Sequence, residues 1–247
     1  MKRLFIPLLT FFPLILFAQP YTDGRALLQA VTAKTGASEQ LFKSHATVQF
    51  DVEIKMESEM GGMTGNQHVT FKNYPDFGLA TFKMDTPMGE MTQRVVKNKE
   101  KAWMESNMMG KQDLPAGTSQ VYEIASMGAL NIPDSLELVL AEDTWNEKPV
   151  YTLTYHATLQ GQDGETINTE DILYIHRETL QLMHSKIITD EVIADTDYED
   201  YQETEGVWIA HKVKITQSVM GSEQSITMVI KPFVFDEPVD DSLFTEQ

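Results

Sequence analysis

Residues 47–56, TVQFDVEIKM, alternate without a break: Val48, Phe50, Val52, Ile54 and Met56 are apolar and every odd position between them is polar. A helix would scatter these side chains around its axis, whereas a strand puts all five on one face. The same period recurs in PVYTLTYHATLQ, which aligns Tyr151, Leu153, Tyr155, Ala157 and Leu159. It recurs again in VWIAHKVKITQSV, which aligns Val207, Ile209, Val213, Ile215 and Val219. Further strands are expected over 66–73, 77–84, 91–98, 101–107, 167–177, 182–189 and 225–235. Between the early ones lie the short turn signals GGMTG, YPD, TPMGE and NKEK, the mark of a meander. Helical periodicity is confined to two places. Asp23 can cap a helix through GRALLQAVTAKTG, with Leu27, Leu28 and Val31 on one stripe, Gly36 as its stop and a second short turn from Ser38. The segment TSQVYEIASMGALNIPDS also breaks the alternation and reads as helix and loop. The chain is therefore mainly β with a few helices, about eleven strands in one large, curved antiparallel sheet.

The first residues have a different character. Lys2 and Arg3 precede an uncharged apolar run from Leu4 to Ala18, the layout of a secretory signal peptide, with cleavage expected after Ala18. The expected organisation is a signal peptide over 1–18 and a single domain over 19–247. There is no cysteine, hence no disulfide and no lipid-modified cysteine anchor. Without Lys2 and Arg3 the balance is 17 basic against 37 acidic residues, about −20 by charge counting. Phosphate backbones repel so acidic a chain, which excludes nucleic acid as a partner.

Nine of the fourteen methionines fall between Met56 and Met109, in three stretches that share the pattern M-[ED]-[ST]-x-M at Met56, Met84 and Met104. In a meander the turns after these stretches gather at one rim of the sheet. Three readings stay open. Thioethers suit Cu(I), a flexible methionine surface re-packs around variable apolar ligands, and methionine also fills cores.

Signs of catalysis are lacking. There is no G-x-S-x-G elbow, no H-E-x-x-H and no glycine-rich phosphate loop. His176 and His184 could face each other across a hairpin, which would supply two metal ligands at most. Asp195, Asp197 and Glu199 would share one exposed strand face that keeps the protein soluble. The expectation is a non-enzyme with no cofactor and no metal.

Several phrases of the second half resemble the LolA-like outer-membrane lipoprotein carriers. LELVLAEDTWNEKPVYTLTYHA is similar to that family's hairpin, and DILYIHRETLQLMHSKI to its strand pair around a T-x-L-P-type turn. YEDYQETEGVWIAHKVKI resembles the strand that opens on G-v-w-i-P, with Ala210 in place of the proline, and PVDDSLFTEQ resembles its close. The resemblance implies an incomplete, unclosed antiparallel β-barrel covered by helices, with an apolar cavity for acyl chains. It also implies a periplasmic, monomeric carrier of lipoproteins or other acyl-bearing lipids, served by membrane-bound donor and acceptor proteins. An arginine that holds the lid helices is implied too, and Arg25, Arg94 and Arg177 all remain open for it. The candidate lining is Val48, Phe50, Val52, Ile54, Phe82, Met84, Tyr151, Leu153 and Tyr155, and the candidate rim is Met56, Met60, Met88, Met104 and Met108. A Cu(I) site on the same rim, or a filled barrel serving as a structural or interaction module, is the alternative.

Overall fold

A computed structural model describes residues 21–35, 38–59, 61–86, 89–114, 130, 132–160, 166–219 and 222–246. The expected signal peptide, Met60, Met88 and most of the central segment expected to be helical lie outside them. Two meanders run outward from a shared seam. The first comprises β1 (Thr47–Ser58), β2 (Gly61–Lys72), β3 (Phe77–Thr86), β4 (Gly89–Lys97), β5 (Ala102–Ser106) and β6 (Gly110–Leu114). The second comprises β7 (Val139–Trp145), β8 (Lys148–Gln160), β9 (Thr166–His176), β10 (Leu182–Ile188), β11 (Val192–Thr204), β12 (Val207–Val219) and β13 (Ser222–Ile230). Strand β1 pairs antiparallel with β13 and joins the meanders into one open sheet, with β6 and β7 as its edges. A two-residue strand, β14 (Val234–Phe235), continues that seam against Val48 and Gln49 and brings the count to fourteen.

Among the described residues two α-helices cover one face, here the inner face. Helix α1 (Gly24–Thr35) begins as expected, with Asp23 Oδ1 accepting from the Arg25 amide at 3.0 Å. Its stripe of Leu27, Leu28 and Val31 is buried against Tyr151, Leu153, Leu173, Ile175 and Leu182. Helix α2 (Ser38–Ser44) sets Leu41 and Phe42 over Val48, Phe50, Val69 and Phe71, and the Phe42 ring lies 5.8 Å from that of Phe71. The outer face carries its own small core. Leu79, Val96 and Trp103 are capped by Phe244 of a final 3-10 turn, Asp241–Phe244. Arg94 fastens that turn, donating to the Leu243 carbonyl and, at 3.2 Å, to Glu105.

The expected alternation holds and more strands exist than expected. Strand β6 (GKQDL) is short and polar and shows no apolar face, and among the described residues it pairs with β5 alone. Strand β7 (VLAEDTW) is an edge with the same weakness, legible only through the family resemblance. Edge strands built of charged residues resist pairing with other chains, and that hides their period.

Candidate functional site

Residues directly opposite in antiparallel strands share a face, so the register gives the composition of the inner face row by row. One row runs Met228, Ile54, Gly65, Met84, Met91 across β13, β1, β2, β3 and β4. The row beyond it, farther from α2, runs Ile215, Ile226, Met56, Met63 across β12, β13, β1 and β2. On the α2 side Phe50, Val69, Ala80, Val95 and Met104 line up across β1 to β5. This last row is buried core, whereas Ile54, Met56, Met63, Met91, Ile215 and Ile226 are only half-buried. The apolar inner face thus continues past the helices into a partly uncovered, methionine-rich field.

The expected lining divides accordingly. Val48, Phe50 and Val52 are packed under α2, and Tyr151 and Leu153 under α1. Met84 is buried, while Ile54, Phe82 and Tyr155 keep some exposure. Of the expected rim, Met56 is half-buried on the open field and Met108 is 58% exposed at the β5–β6 turn. Met60 and Met88 lie outside the described residues. Met104 is not at a rim. It is 8% exposed, inside the α2 core, and its sulfur accepts from Gln93 Nε2 at 2.8 Å. Met56, Met84 and Met104 each stand two residues before the end of a strand, but strands shorten from twelve residues in β1 to five in β5. Equal distance from the turn therefore means increasing depth. Met56 and Met104 are four strands and six residues apart, on the order of 20 Å in each direction. One Cu(I) ion cannot bind both.

Three arginines were candidates for holding a lid, and their partners separate them. From the first turn of α1, Arg25 donates to the carbonyls of Ile132 (3.3 Å), Pro133 (2.7 Å) and Leu136, with Asp134 at 3.8 Å. It binds α1 to the segment leading into β7. Gly24 makes room for this approach, since a Cβ there would meet Leu138 Cβ at 2.9 Å and Leu153 at 3.1 Å. Arg94 serves the outer face. Arg177 pairs with Glu142 at 2.9 Å and stacks on Tyr151 at 5.2 Å, bracing the β7 edge.

Two histidines, His176 and His184, are held by local contacts. His176 Nδ1 accepts from the amides of Glu178 and Thr179 and closes the turn after β9. It does not face His184, which pairs with Tyr174 across the strands. His184 is buried on the outer face, stacked on Trp145 at 4.1 Å and held by Asp197 (2.8 Å) and Asp195 (3.1 Å). The carboxylate row of β11 thus fixes a buried imidazole besides meeting solvent. Among the described residues no cluster of three His, Asp or Glu is arranged to hold a metal ion.

Two clefts lie apart from these rows. One of about 510 Å³ includes Ile54, Gly65 and Met84 but is lined mainly by the outward-facing residues of the same strands, such as Glu53, Lys55, Asn66, Lys83 and Glu90. Another, of about 740 Å³, lies between Trp145 and Trp208 near the β11–β12 turn and is mixed in polarity.

No family model matches the chain, and no curated protein matches it in sequence. Solved structures do. A LolA superfamily protein from Nitrosomonas europaea superposes with a TM-score of 0.56 at 11% identity, covering 92% of this chain and 99% of the other. An outer membrane lipoprotein-sorting protein domain from Vibrio parahaemolyticus gives 0.56 at 10% identity, over 89% and 94% of the two chains. A DUF1329 family protein from Desulfovibrio piger gives 0.54 at 9% identity, over 91% and 98%. The fold is LolA-like: an unclosed antiparallel barrel with modest helical cover.

Proposed function

We propose that this protein is a periplasmic carrier of lipoproteins or other acyl-bearing lipids, working as a monomer between a membrane-bound donor and acceptor. The observation that carries the reading is the field of Ile54, Met56, Met63, Met91, Ile215 and Ile226 around the buried Met84, apolar, continuous with the core and only partly covered. Soluble proteins seldom leave such a surface without a ligand or partner. Its similarity in fold to a lipoprotein-sorting domain supports the same reading.

The energetics are suitable. A buried methylene contributes about 0.8 kcal/mol, so a sixteen-carbon chain offers roughly 12 kcal/mol gross. A carrier has to release its cargo, and methionines that adapt to several chain positions lower the cost of exchange. Arg25 ties α1 to residues 132–136, and breaking that tie would free the edge of the cover over β8 to β10. Chains enter beside α1 and leave when an acceptor membrane or receptor draws them off.

The test is to purify the mature protein from its native compartment and weigh it intact by native mass spectrometry, with lipid extraction of the same sample. Bound acyl species are expected. Met56→Glu and Ile226→Glu, at half-buried positions of the field, should weaken acyl binding at least tenfold, since a carboxylate would be desolvated under the chain. Met56→Leu with Met63→Leu should leave it nearly intact, as volume-conserving apolar exchanges do. A protein that carries no lipid and takes none up in vitro would refute the reading.

A further inference from the structure

The inner face is not apolar throughout. Strand β9 turns Thr169, Asp171, Leu173 and Ile175 toward it in alternation, each of them buried. Leu173 and Ile175 lie in the α1 core, whereas Asp171 brings a carboxyl into the same wall at 9% exposure. Its Oδ2 accepts from Thr169 Oγ1 at 3.2 Å, and Tyr155 is its cross-strand partner on β8. Its Oδ1 is buried and has no hydrogen-bond partner among the described residues. On the other side Asp171 faces Ile187, which is 43% exposed although it lies on the inner face. In the adjoining row the hydroxyls of Ser185 and Tyr198 sit 3.4 Å apart.

A buried acceptor left unpaired is costly, and a carboxyl more so than an amide or hydroxyl. Burial accordingly pushes the Asp171 carboxyl above its ordinary range, against the pull of Thr169, Tyr155 and the nearby His156. A wall required only to pack would be better served by leucine here. The position makes sense where something enters this face and brings a donor to Oδ1. Phosphates and ester oxygens would be repelled. A nitrogen-borne hydrogen is what the oxygen lacks.

We infer that Asp171 Oδ1 is the polar subsite of the acyl-binding face and takes an N–H donor, amide or ammonium, at the head of an acyl ligand. This rests on the acyl-binding reading above and specifies which ligands that face prefers. The chain of such a ligand runs from Asp171 past Ile187 and over Ile215 and Ile226 toward the methionine field.

The experiment compares three ligands that share a sixteen-carbon chain on delipidated mature protein by displacement of a fluorescent fatty-acid probe. Methyl palmitate has no donor, N-methylpalmitamide has an amide N–H in its place, and hexadecylamine has an ammonium. The amide and the ammonium should each bind about tenfold more tightly than the ester, the usual effect of satisfying one buried acceptor. Asp171→Leu should erase the preference, with methyl palmitate bound at least as tightly as by the wild type and thermal stability equal or higher. Asp171→Asn, which keeps the shape and a neutral acceptor, should hold the amide preference and lose the ammonium one. It also decides the matter if the leucine variant does not fold. Three ligands bound equally by the wild type would overturn the inference and leave acyl binding standing. A preference that survives both substitutions would overturn it as well, and failure to bind any of the three would remove the acyl-binding reading on which it stands.

Discussion

His45 shows how much one side chain can hold. It ends α2, stacks on Phe235 at 4.2 Å, and sets its ring nitrogens 2.8 Å from Asp236 and 2.9 Å from Glu205 in the β11–β12 turn. The hydrogen bond to Asp236 raises its pKa above the usual histidine value, desolvation opposes this, and Glu205 adds to the rise. A raised folded-state pKa means stabilisation fully present below about pH 6.5, the ordinary histidine value, and lost as pH rises through the folded value. The urea midpoint should therefore be higher at pH 6 than at pH 8, and His45→Gln should flatten that difference. Asp236, whose pKa the same contact lowers, works in the opposite direction: its share is present above about pH 3.9 and fades as pH falls. Gly65 is a second decisive residue. A Cβ there would stand 2.6 Å from the Lys83 carbonyl oxygen, a backbone atom that cannot swing away. Gly65→Ala should cost about 1–3 kcal/mol by overpacking, measured by denaturant unfolding.

Among elements, α1 and the final 3-10 turn both act as fasteners. Arg25→Met keeps the apolar stem and removes the bonds to Ile132, Pro133 and Leu136. Amides of residues 136–140 should then exchange faster, and bound acyl probe should dissociate faster, while β1 to β4 stay protected. If exchange there is unchanged, Arg25 is no latch. Phe244→Ala should destabilise by about 3–5 kcal/mol, because a fully buried ring is removed from over Trp103 and Leu79. Neither fastening could be read locally. The stripe of α1 is visible from Leu27, Leu28 and Val31, yet nothing near Arg25 in the chain announces carbonyls more than a hundred residues away. Strands with an apolar face, β1, β8 and β12, were legible from their period, and the charged edges β6 and β7 were not.

At the scale of the molecule, the seam between β1 and β13 determines how the sheet forms. Val52 pairs with Ile230, 178 positions further along the chain, so each meander can form by itself and the seam must wait for both. In refolding followed by pulsed hydrogen exchange, the amides of 52–58 that face β13 should gain protection after those shared within either meander. Protection of the seam first would contradict this order.

Period-two alternation is a local property, and from it the sequence alone determined a mainly β protein, the residues that share one face in β1, β8 and β12, and the stripe of α1; which face turns inward it left open. It also placed the methionines near one end of the sheet. Depth was different. Whether a methionine lies in the open field, as Met56 does, or under α2, as Met104 does, depends on register summed over several strands. Tertiary structure likewise brought Arg25 to the carbonyls of residues 132–136, turned Asp195 and Asp197 onto His184, and left Asp171 Oδ1 without a partner among the described residues. Each of these is a contact between residues whose separation along the chain carries no periodic signal. Only the assembled sheet brings them together.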